Sequence, residues 1–407
     1  MSNETKSLKH PLDGIRVLEL ANYMAGPYCA MLLADMGAEV LKIENPHGGD
    51  FTRLAAPFID GEAAGFLAIN RNKKSVTLNL KAARGREIFL ELVRTADVIV
   101  ENFRPGTMAD LGLDYATLAA LNPRLIYNAA SGFGQTGPYS QRPALDIIVQ
   151  GMSGLMSITG EPGRPPVKVG VPIADLTAAL FGAYAILAAL YARDRTGRGQ
   201  FIDTSLLEAA LALEIWETSG FFATGDVPEP LGSAHRVNTP YQAIRVANGY
   251  ITIGAPTPAN WKAFCRALGM PQWETDARFA DVPTRQKHKD ELIALIEAIT
   301  TTKPSAHWLK VFDDAGIPCG ELNKIDAIIN DPHIQSRNFI VELAHAKLGK
   351  VKATGSPVRL SETPVRLERA GPLLGEHTRE VLTRLGMTVA EIAELEKSGV
   401  IALASNS

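Results

Sequence analysis

One stretch of this sequence places an acidic side chain where it could act as a nucleophile. Residues 168–174 form an apolar extended run, Asp175 follows directly, and a long apolar helix is predicted after it. Asp175 therefore occupies the position of a helix N-cap, where a carboxylate accepts hydrogen bonds from the next backbone N–H groups. The same position favours the ionised form, and an ionised carboxylate at a strand end can attack a thioester. The residues alone leave both roles open.

The patterns of other common catalytic sites are missing from the sequence. Its eight histidines show no metal-ligand spacing, and there is neither a Walker A loop nor a GxSxG elbow. The loop 21–27 has one glycine where a dinucleotide fingerprint needs three. Cys29, Cys265 and Cys319 fit neither a zinc site nor a disulfide framework, and Cys29 is expected to pack in a helix. We expect no metal site, and the chemistry must come from dispersed polar residues.

Alternating strands and helices must position these residues. Short β-branched runs separated by helices of ten to fifteen residues are typical of βαβ units, which build a parallel sheet with right-handed crossovers. We predict a Rossmann-like α/β large domain. The predicted strands are Arg16–Leu20, Glu39–Glu44, Val76–Leu80, Val98–Val100 and Leu125–Ala129, and the predicted helices include 25–36, 82–94 and 176–192.

The pattern changes near residue 225, where glycines and prolines accumulate. We predict a large Rossmann-like domain at 1–225, a small α+β domain with linkers at 226–333, and a C-terminal return to the large domain at 334–407. A hairpin is expected at Tyr241–Ala255, with Asn248-Gly249 as its turn.

Composition narrows the class of protein. The 407 residues carry a net charge of −3 and 46% hydrophobic residues, so no nucleic-acid footprint or basic membrane-binding face is expected. The N-terminal residues 1–11 lack the apolar core of a secretory signal. The longest apolar run, within Leu180–Tyr191, is shorter than a membrane span. We expect a cytoplasmic protein without a membrane partner.

Several blocks resemble the class III CoA-transferases, which include formyl-CoA transferase, carnitine CoA-transferase and the divergent α-methylacyl-CoA racemases. Each block alone is weak, but their order and spacing make the resemblance specific over nearly the whole chain. The blocks are 11–20 (PLDGIRVLEL), 25–27 (AGP), 33–44 (LADMGAEVLKIE), 70–75 (NRNKKS), 101–106 (ENFRPG), 131–138 (SGFGQTGP), 196–200 (TGRGQ), 316–320 (GIPCG) and 374–378 (LGEHT).

The resemblance implies a CoA-transferase in which Asp175 carries the acyl group, through an aspartyl anhydride and an aspartyl-CoA thioester. CoA or acyl-CoA is then a substrate and no cofactor is tightly bound. The CoA-binding positions implied are Met24, Ala25, Arg71, Leu78, Lys81, Asn102, Phe103, Arg104, Ser131, Gly132 and Phe133, and Gly254 and Ala255 form an acceptor-side loop. Core packing remains an alternative for the apolar members, a surface ion pair for Arg104, and solvated charge for Arg71 and Lys81.

Two positions depart from formyl-CoA transferase. Asn45 and Asp110 stand where that family member has arginines that contact CoA. Lys42, Arg53, Lys73 or Lys74 are candidates to replace the lost positive charge.

Three activities stay in view. Racemases of the family abstract an α-proton with a histidine, and the matching position here is Leu145, which cannot act as an acid or base. Asp146, beside it, is expected to be a structural helix cap. A CoA-binding protein without turnover is the other alternative.

The resemblance also implies an interlocked homodimer acting on acyl-CoA and small carboxylic acids, and the identity of those acids stays open.

Overall fold

The computed structural model describes residues 8–404. Its strands are β1 (Arg16–Leu20), β2 (Glu39–Glu44), β3 (Phe58–Ile59), β4 (Glu62–Ala63), β5 (Lys74–Thr77), β6 (Val98–Glu101), β7 (Ile126–Ser131), β8 (Phe201–Ser205), β9 (Tyr241–Val246), β10 (Gly249–Gly254), β11 (Cys319–Glu321), β12 (Ile340–His345) and β13 (Gly349–Thr354).

The helices are α1 (Ala25–Asp35), α2 (Ala64–Ile69), α3 (Ala83–Val93), α4 (Thr107–Asp110), α5 (Tyr115–Leu121), α6 (Asp146–Ser153), α7 (Leu155–Ile158), α8 (Ile173–Thr196), α9 (Leu206–Ala212), α10 (Ile215–Thr224), α11 (Pro258–Ala267), α12 (Val282–Lys287), α13 (Lys289–Thr300), α14 (Ser305–Asp314), α15 (Ile325–Ile329), α16 (Pro332–Ser336), α17 (Thr378–Arg384) and α18 (Val389–Lys397). Two 3₁₀ turns lie at Phe51–Leu54 and Pro271–Glu274.

The chain forms two compact units. The first contains residues 8–155, 169–218 and 332–404, and the second contains 156–168 and 219–331. The predicted domain boundaries were 225/226 and 333/334, and residues 156–168 were expected in the large domain. That last assignment was wrong, because the segment packs with the second unit.

A six-stranded parallel sheet organises the first unit. Its strand order is β5-β2-β1-β6-β7-β8, and each neighbouring pair is parallel. Counted along the chain within this sheet, the order is the 3-2-1-4-5-6 of the Rossmann fold. Strands β1, β2 and β7 are almost entirely buried, as in the interior of a parallel sheet, whereas the edge strand β8 is partly exposed. The predicted parallel α/β sheet is confirmed.

Helix α8 is the longest element of the described chain and packs against α1, α9 and β7. It ends at Gly197, whose φ of 73° suits glycine, and its last turn carries Arg193 and Arg195, which favour the negative end of the helix dipole. With 24 residues and a mean hydropathy of 1.9 over 18 of them, α8 is long and apolar enough to cross a membrane by length and composition. The expectation that no run reaches that length was wrong. Half of the stretch is buried inside the protein, as in a core helix.

The C-terminal part of the first unit covers the edge of the sheet at β5. Backbone N–H groups of Gly375 and His377 donate to the hydroxyl and carbonyl oxygens of Ser75. Farther along, the N–H of Ala402 donates to Oγ1 of Thr77 over 2.8 Å. The edge of the parallel sheet is therefore hydrogen-bonded to protein along its length.

The second unit contains a three-stranded antiparallel sheet, in the order β11-β10-β9, with helices α11 to α14 around one aromatic core. The predicted hairpin is confirmed as β9 and β10, which pair from Tyr241 with Gly254 to Val246 with Gly249. Its turn is Ala247-Asn248, one residue before the predicted Asn248-Gly249, because Gly249 already pairs in β10. Trp261, Phe264 and Phe312 fill the core beneath it.

Candidate active site

The topological switch point of the sheet lies between β1 and β6, and the candidate crevice is the space outside the carboxyl ends of these two strands. Their connections leave in opposite directions, and in open α/β sheets ligands bind outside the carboxyl ends of strands at such a point. The loops after these two strands are joined by Asn102, whose side chain accepts from the N–H of Asn22 (2.9 Å) and donates to its carbonyl oxygen (2.7 Å). The predicted CoA residues Met24, Ala25 and Asn102 thus come from two loops that are held together.

Close packing shapes the same crevice. A Cβ atom on Gly26 would stand 2.3 Å from Cβ of Ala21, so only glycine fits where α1 begins. Ala25 belongs to the cluster of small apolar side chains that also includes Ala174 and Ala178 of α8. The loop after β1 is therefore packed directly against the first turns of the helix that carries Asp175.

Asp175 is the third residue of α8 and is half-buried. The prediction that it is the N-cap was wrong: Pro172 holds that position, and no side chain of its own caps the helix. Instead, Oδ1 of Asp146 accepts a hydrogen bond from the N–H of Ala174 over 3.0 Å. Because the carboxylate of Asp146 caps the helix, Asp175 is not its capping residue.

Asp146 is itself held in place by Gln150, one helical turn along α6. Nε2 of Gln150 donates to Oδ2 of Asp146 (2.7 Å), and Oε1 of Gln150 accepts from the N–H of Val169 (2.9 Å). The fully buried Gln150 thereby joins α6 to the extended segment before α8. Asp146 was expected to be structural, and the structure shows that it caps α8 rather than its own helix.

Burial, and then the nearby carboxylate of Asp146, raise the pKa of Asp175 to about 7. The helix N-terminus was expected to keep Asp175 ionised, but burial and the charge on Asp146 outweigh that effect. Removal from water and a like charge both disfavour the ionised form. The carboxylate is therefore more basic than an ordinary aspartate and shares its population between two protonation states near neutral pH.

The loop after β7 holds Ser131, Gly132 and Phe133. Ser131 is buried, and its Oγ has no hydrogen-bond partner among residues 8–404. A Cβ atom on Gly132 would stand 2.1 Å from that of Ala144, just before α6. The guanidinium of Arg142 lies 5.6 Å from the ring centre of Phe133. This loop thus offers a free hydroxyl and borders the segment that leads into Asp146.

Arg71 is already engaged within the first unit. Its guanidinium lies 2.6 Å from the carboxylate of the buried Asp35, and it also donates to the carbonyl oxygen of Thr354. This arginine ties β13 to α1, which disfavours the predicted contact with CoA, and that contact stays a prediction. Leu78 lies in the main core cluster, which agrees with its packing alternative.

Three other predicted CoA residues lie nearer the surface. The Phe103 ring packs against the core, while its N–H donates to the Glu101 carboxylate over 2.7 Å. Arg104 and Lys81 are exposed, and no carboxylate in residues 8–404 forms an ion pair with either. Both cations are therefore free to meet a phosphate.

The cations suggested as replacements for arginine at positions 45 and 110 are all engaged. Lys42 and Lys73 are buried and each lies 2.7 Å from a carboxylate oxygen of Glu19. Arg53 pairs with Glu44, and Lys74 pairs with Glu39 and Glu380. None of the four can supply the missing charge without breaking an ion pair.

Gly254 and Ala255 lie in the second unit and are not among the residues that the first unit brings together. Gly254 ends β10, and the N–H of the buried Ala255 donates to the carbonyl oxygen of Pro240 over 2.8 Å. The backbone N–H of Ala255 is thereby already engaged.

Sequence reasoning missed an aromatic pair next to the crevice. The rings of Tyr23 and Phe51 are stacked with centroids 5.5 Å apart, and both are more than half exposed. Tyr23 adopts a φ of 63°, which is costly for a residue with a bulky side chain. Its N–H faces the Asp50 carboxylate, which lies 2.8 Å from the buried ammonium of Lys42. No local pattern signals this arrangement, because its partners come from separate loops.

Two further observations concern metal-binding groups and the thiol of Cys29. Within residues 8–404 there is no group of three His, Cys, Asp or Glu side chains that could hold a metal ion. Cys29 packs in the core as expected, and this burial raises the pKa of its thiol to about 12. Asp175 is thus a half-buried carboxylate at the start of α8.

Comparison with known proteins decides the family. The sequence model of CoA-transferase family III matches residues 12–378. The chain belongs to this family. A succinate–glutarate CoA-transferase from Agrobacterium fabrum is 41% identical, covering 93% of this chain and 96% of its own. An acetyl-CoA:oxalate CoA-transferase from Acetobacter aceti is also 41% identical, covering 90% of this chain and 94% of its own.

Solved structures support the same conclusion for this CoA-transferase. The crystal structure of a CAIB/BAIF family protein from Brucella suis is similar with a TM-score of 0.83 and 36% identity, covering 93% of this chain and all of the other. The predicted family, the transferase activity and the α/β fold are therefore confirmed.

Proposed function

We propose that this CoA-transferase uses Asp175 as a covalent carrier, first of the acyl group and then of CoA. The observation that supports this most is the position of Asp175, half-buried at the start of α8, whose neighbour Ala174 shares an apolar cluster with Ala25. A carboxylate with a pKa near 7 is a stronger nucleophile than an ordinary aspartate. Partial burial also protects a reactive anhydride from water.

The reaction proceeds in two exchanges. An ionised Asp175 oxygen attacks the thioester carbonyl of the donor, the C–S bond breaks, and CoA leaves as a thiolate from the resulting aspartyl anhydride. The thiolate attacks the Asp175 carbonyl, which forms an aspartyl-CoA thioester and releases the donor acid as a carboxylate. The acceptor carboxylate then repeats both exchanges in reverse, which regenerates Asp175 and yields the new acyl-CoA.

Each attack creates an oxyanion that needs a hydrogen-bond donor, worth about 3 kcal/mol apiece. The unpartnered Oγ of Ser131 suits this role, since it ends β7 at the same sheet edge. We place CoA in the crevice between the loops of Met24 and Asn102, with the free cations Arg104 and Lys81 toward its phosphates. CoA acts there as a substrate, and the reaction as written needs neither a metal nor a tightly bound cofactor.

We propose succinyl-CoA as a donor and a small dicarboxylic acid as the acceptor. The names of two relatives support this: the Agrobacterium succinate–glutarate CoA-transferase and a succinyl-CoA:glutarate CoA-transferase from Mus musculus that is 37% identical. The acetyl-CoA:oxalate relative is equally similar, so oxalate belongs in the test. The loop Ile253–Pro258, with one glycine and two prolines, is stiffer than the glycine run of formyl-CoA transferase and favours a larger acid.

We further propose a homodimer, with the chains interlocked as the family resemblance implies. An exposed apolar stripe along α8 supports a second copy: Leu180, Tyr184, Leu187 and Tyr191 recur at helical spacing, and Tyr184 is 69% exposed. The chain also leaves the first unit and returns to it, as a ring-shaped path requires.

The carrier role is tested by incubating the enzyme with succinyl-CoA and glutarate and mapping adducts by mass spectrometry. We expect a hydroxylamine-sensitive adduct on Asp175, and a loss of at least about a thousandfold in kcat for Asp175→Asn. Asp194→Asn, an exposed carboxylate on the same helix, serves as control and should keep full activity. Full transfer by Asp175→Asn would overturn the mechanism.

The same reactions in D₂O separate the two alternatives. A racemase would exchange the α-hydrogen of the acyl group, and a CoA-binding protein would bind without turnover. Because the exposed Leu145 stands at the position of the family histidine, we expect transfer without deuterium incorporation.

A further inference from the structure

A second cavity of the first unit lies away from Asp175. It has a volume of about 320 Å³ and is lined by Lys73, which precedes β5, by the end of β12 and by residues of the segment 369–377. None of its lining residues belongs to α6, α8 or the loops after β1, β6 and β7. The GEH part of the C-terminal LGEHT block supplies Glu376 and His377 to its wall.

His345 presents a fixed hydrogen-bond donor at this cavity. Its Nδ1 accepts from the backbone N–H groups of Lys347 (3.2 Å) and Leu348 (3.1 Å), so the ring proton must reside on Nε2. The side chain is only 7% exposed, and Nε2 has no partner among residues 8–404. A protonated Nε2 cannot ligate a metal, but it can donate to an oxygen.

His377 and Arg369 add polar groups to the same wall. His377 is 6% exposed, and its Nδ1 also lacks a partner in the described chain. Burial lowers the pKa of both imidazoles, so both are neutral at pH 7. The Arg369 guanidinium is exposed and forms no ion pair with a carboxylate of residues 8–404, although its backbone is held by Asn72.

The remaining charges decide which anion fits. Lys73 is already held by Glu19, by the carbonyl oxygen of Pro27 and by Asn70. Glu376 accepts from the N–H of Leu373 and keeps its other oxygen 3.8 Å from Nε2 of His377. Phosphate concentrates its charge in one group that would lie close to this carboxylate, whereas a dicarboxylate spreads its charge over two separate groups, one of which Arg369 can balance.

We propose that this cavity is a binding site for a small carboxylate, separate from the catalytic centre, in which Arg369 and the Nε2–H of His345 hold the carboxylate oxygens. Planar guanidinium and carboxylate groups match in geometry. A volume of about 320 Å³ lies at the lower end for ligand sites and suits a four- or five-carbon acid rather than acyl-CoA. Such a ligand would join β12 to the C-terminal segment and stabilise the docked form of that segment.

Calorimetric titration of succinate, glutarate and inorganic phosphate at pH 7 tests the proposal. Asp175→Ala protein is used throughout, so that no covalent chemistry contributes. We expect a dicarboxylate to bind and to raise Tm. Arg369→Gln should weaken binding about tenfold or more, because a charge-assisted hydrogen bond is lost. His345→Asn should do the same while its side-chain oxygen still accepts from the turn.

Arg379→Gln is the matched control, since Arg379 is an exposed arginine of the same segment outside the cavity. It should bind like its parent. The proposal is overturned if the Arg369→Gln protein binds dicarboxylate at parental strength, if the parent shows no binding at millimolar concentrations, or if phosphate binds as tightly as the dicarboxylates. Because Asp175 is absent from all samples, failure here leaves the catalytic proposal intact.

Discussion

Two aspartates at the start of α8 divide tasks that one residue was expected to perform. Asp146 caps the helix through the N–H of Ala174 and is held by Gln150. Among residues 8–404, no hydrogen bond or ion pair holds the side chain of Asp175, and the charge on Asp146 adds to burial in raising its pKa. The proposed carrier is thus made more basic by burial and, in addition, by the carboxylate that caps its helix.

Activity should depend on pH through this pair. The ionised form of Asp175 attacks, so kcat/KM for acyl-CoA should rise with pH and level off above about 7. In Asp146→Asn the amide oxygen can still accept from Ala174, but the negative charge is gone. The pKa of Asp175 should fall, and the acid limb of the profile should move to lower pH.

The measurement is kcat/KM between pH 5 and 9 for both proteins, with Asp194→Asn as a control that should keep the wild-type profile. An Asp146→Asn profile that coincides with that of the wild type would show that Asp146 does not tune Asp175. A folded variant that lost all activity at every pH would instead assign Asp146 a direct part in the reaction.

At the residue scale, the sequence identified Asp175 only through family resemblance. The helix-cap argument assigned the wrong role, because the true cap lies 28 residues before Ala174. The ion pair of Arg71 was not predicted for the same kind of reason, since its partner Asp35 is on another element. Contacts between distant residues carry no local signal, so charge pairing in the interior could not be predicted.

At the scale of elements, the edge strand β5 depends on residues that follow it by about three hundred positions. The N–H of Thr77 donates to Oγ1 of Thr378 (3.0 Å), and Oγ1 of Thr77 accepts from the N–H of Ala402. One buried threonine thereby joins the sheet to two parts of the C-terminal segment.

Thr77→Val keeps the shape of that side chain but removes its hydroxyl. We expect the free energy of unfolding to fall by about 1–3 kcal/mol, because the N–H of Ala402 loses its acceptor. Urea denaturation measures this change. Thr275→Val, at an exposed site of the second unit, should change stability by less than about 0.5 kcal/mol. Equal effects of both substitutions would contradict the proposed role of Thr77.

Elements with strong periodicity were predicted well. Strands β1 and β2 have the predicted bounds. The start of α8 was placed three residues late, and β12 and β13 were not predicted. Their alternating, charged sequences are stabilised by pairing with each other and by contacts that the local pattern does not show.

At the scale of the whole molecule, the apolar stripe on α8 should be covered by a second copy. Tyr184→Glu places a charge in its centre, and we expect it to reduce the yield of folded dimer and to leave monomer or aggregate in sedimentation. Val389→Glu, an exposed apolar residue at the start of α18, is the control and should assemble normally. Sedimentation of the wild-type protein as a monomer would contradict the dimer.

The family and its parallel sheet could be predicted because many weak blocks agree along the chain. Cytoplasmic location stays a prediction. The membership of 156–168 in the second unit could not be predicted, since that segment is short and Gly160 and Glu161 meet their partners near Gly232.

The second unit interrupts the first unit in the sequence, and this order affects how the chain folds during synthesis. Residues 219–331 emerge before 332–404, so the second unit can complete its own core while β5 still lacks the strand-edge partners supplied by Gly375, His377 and Ala402. During that interval the nascent chain exposes an unpaired sheet edge, which invites pairing with other chains. Synthesis should therefore be the stage at which this enzyme is most prone to pair wrongly with other chains.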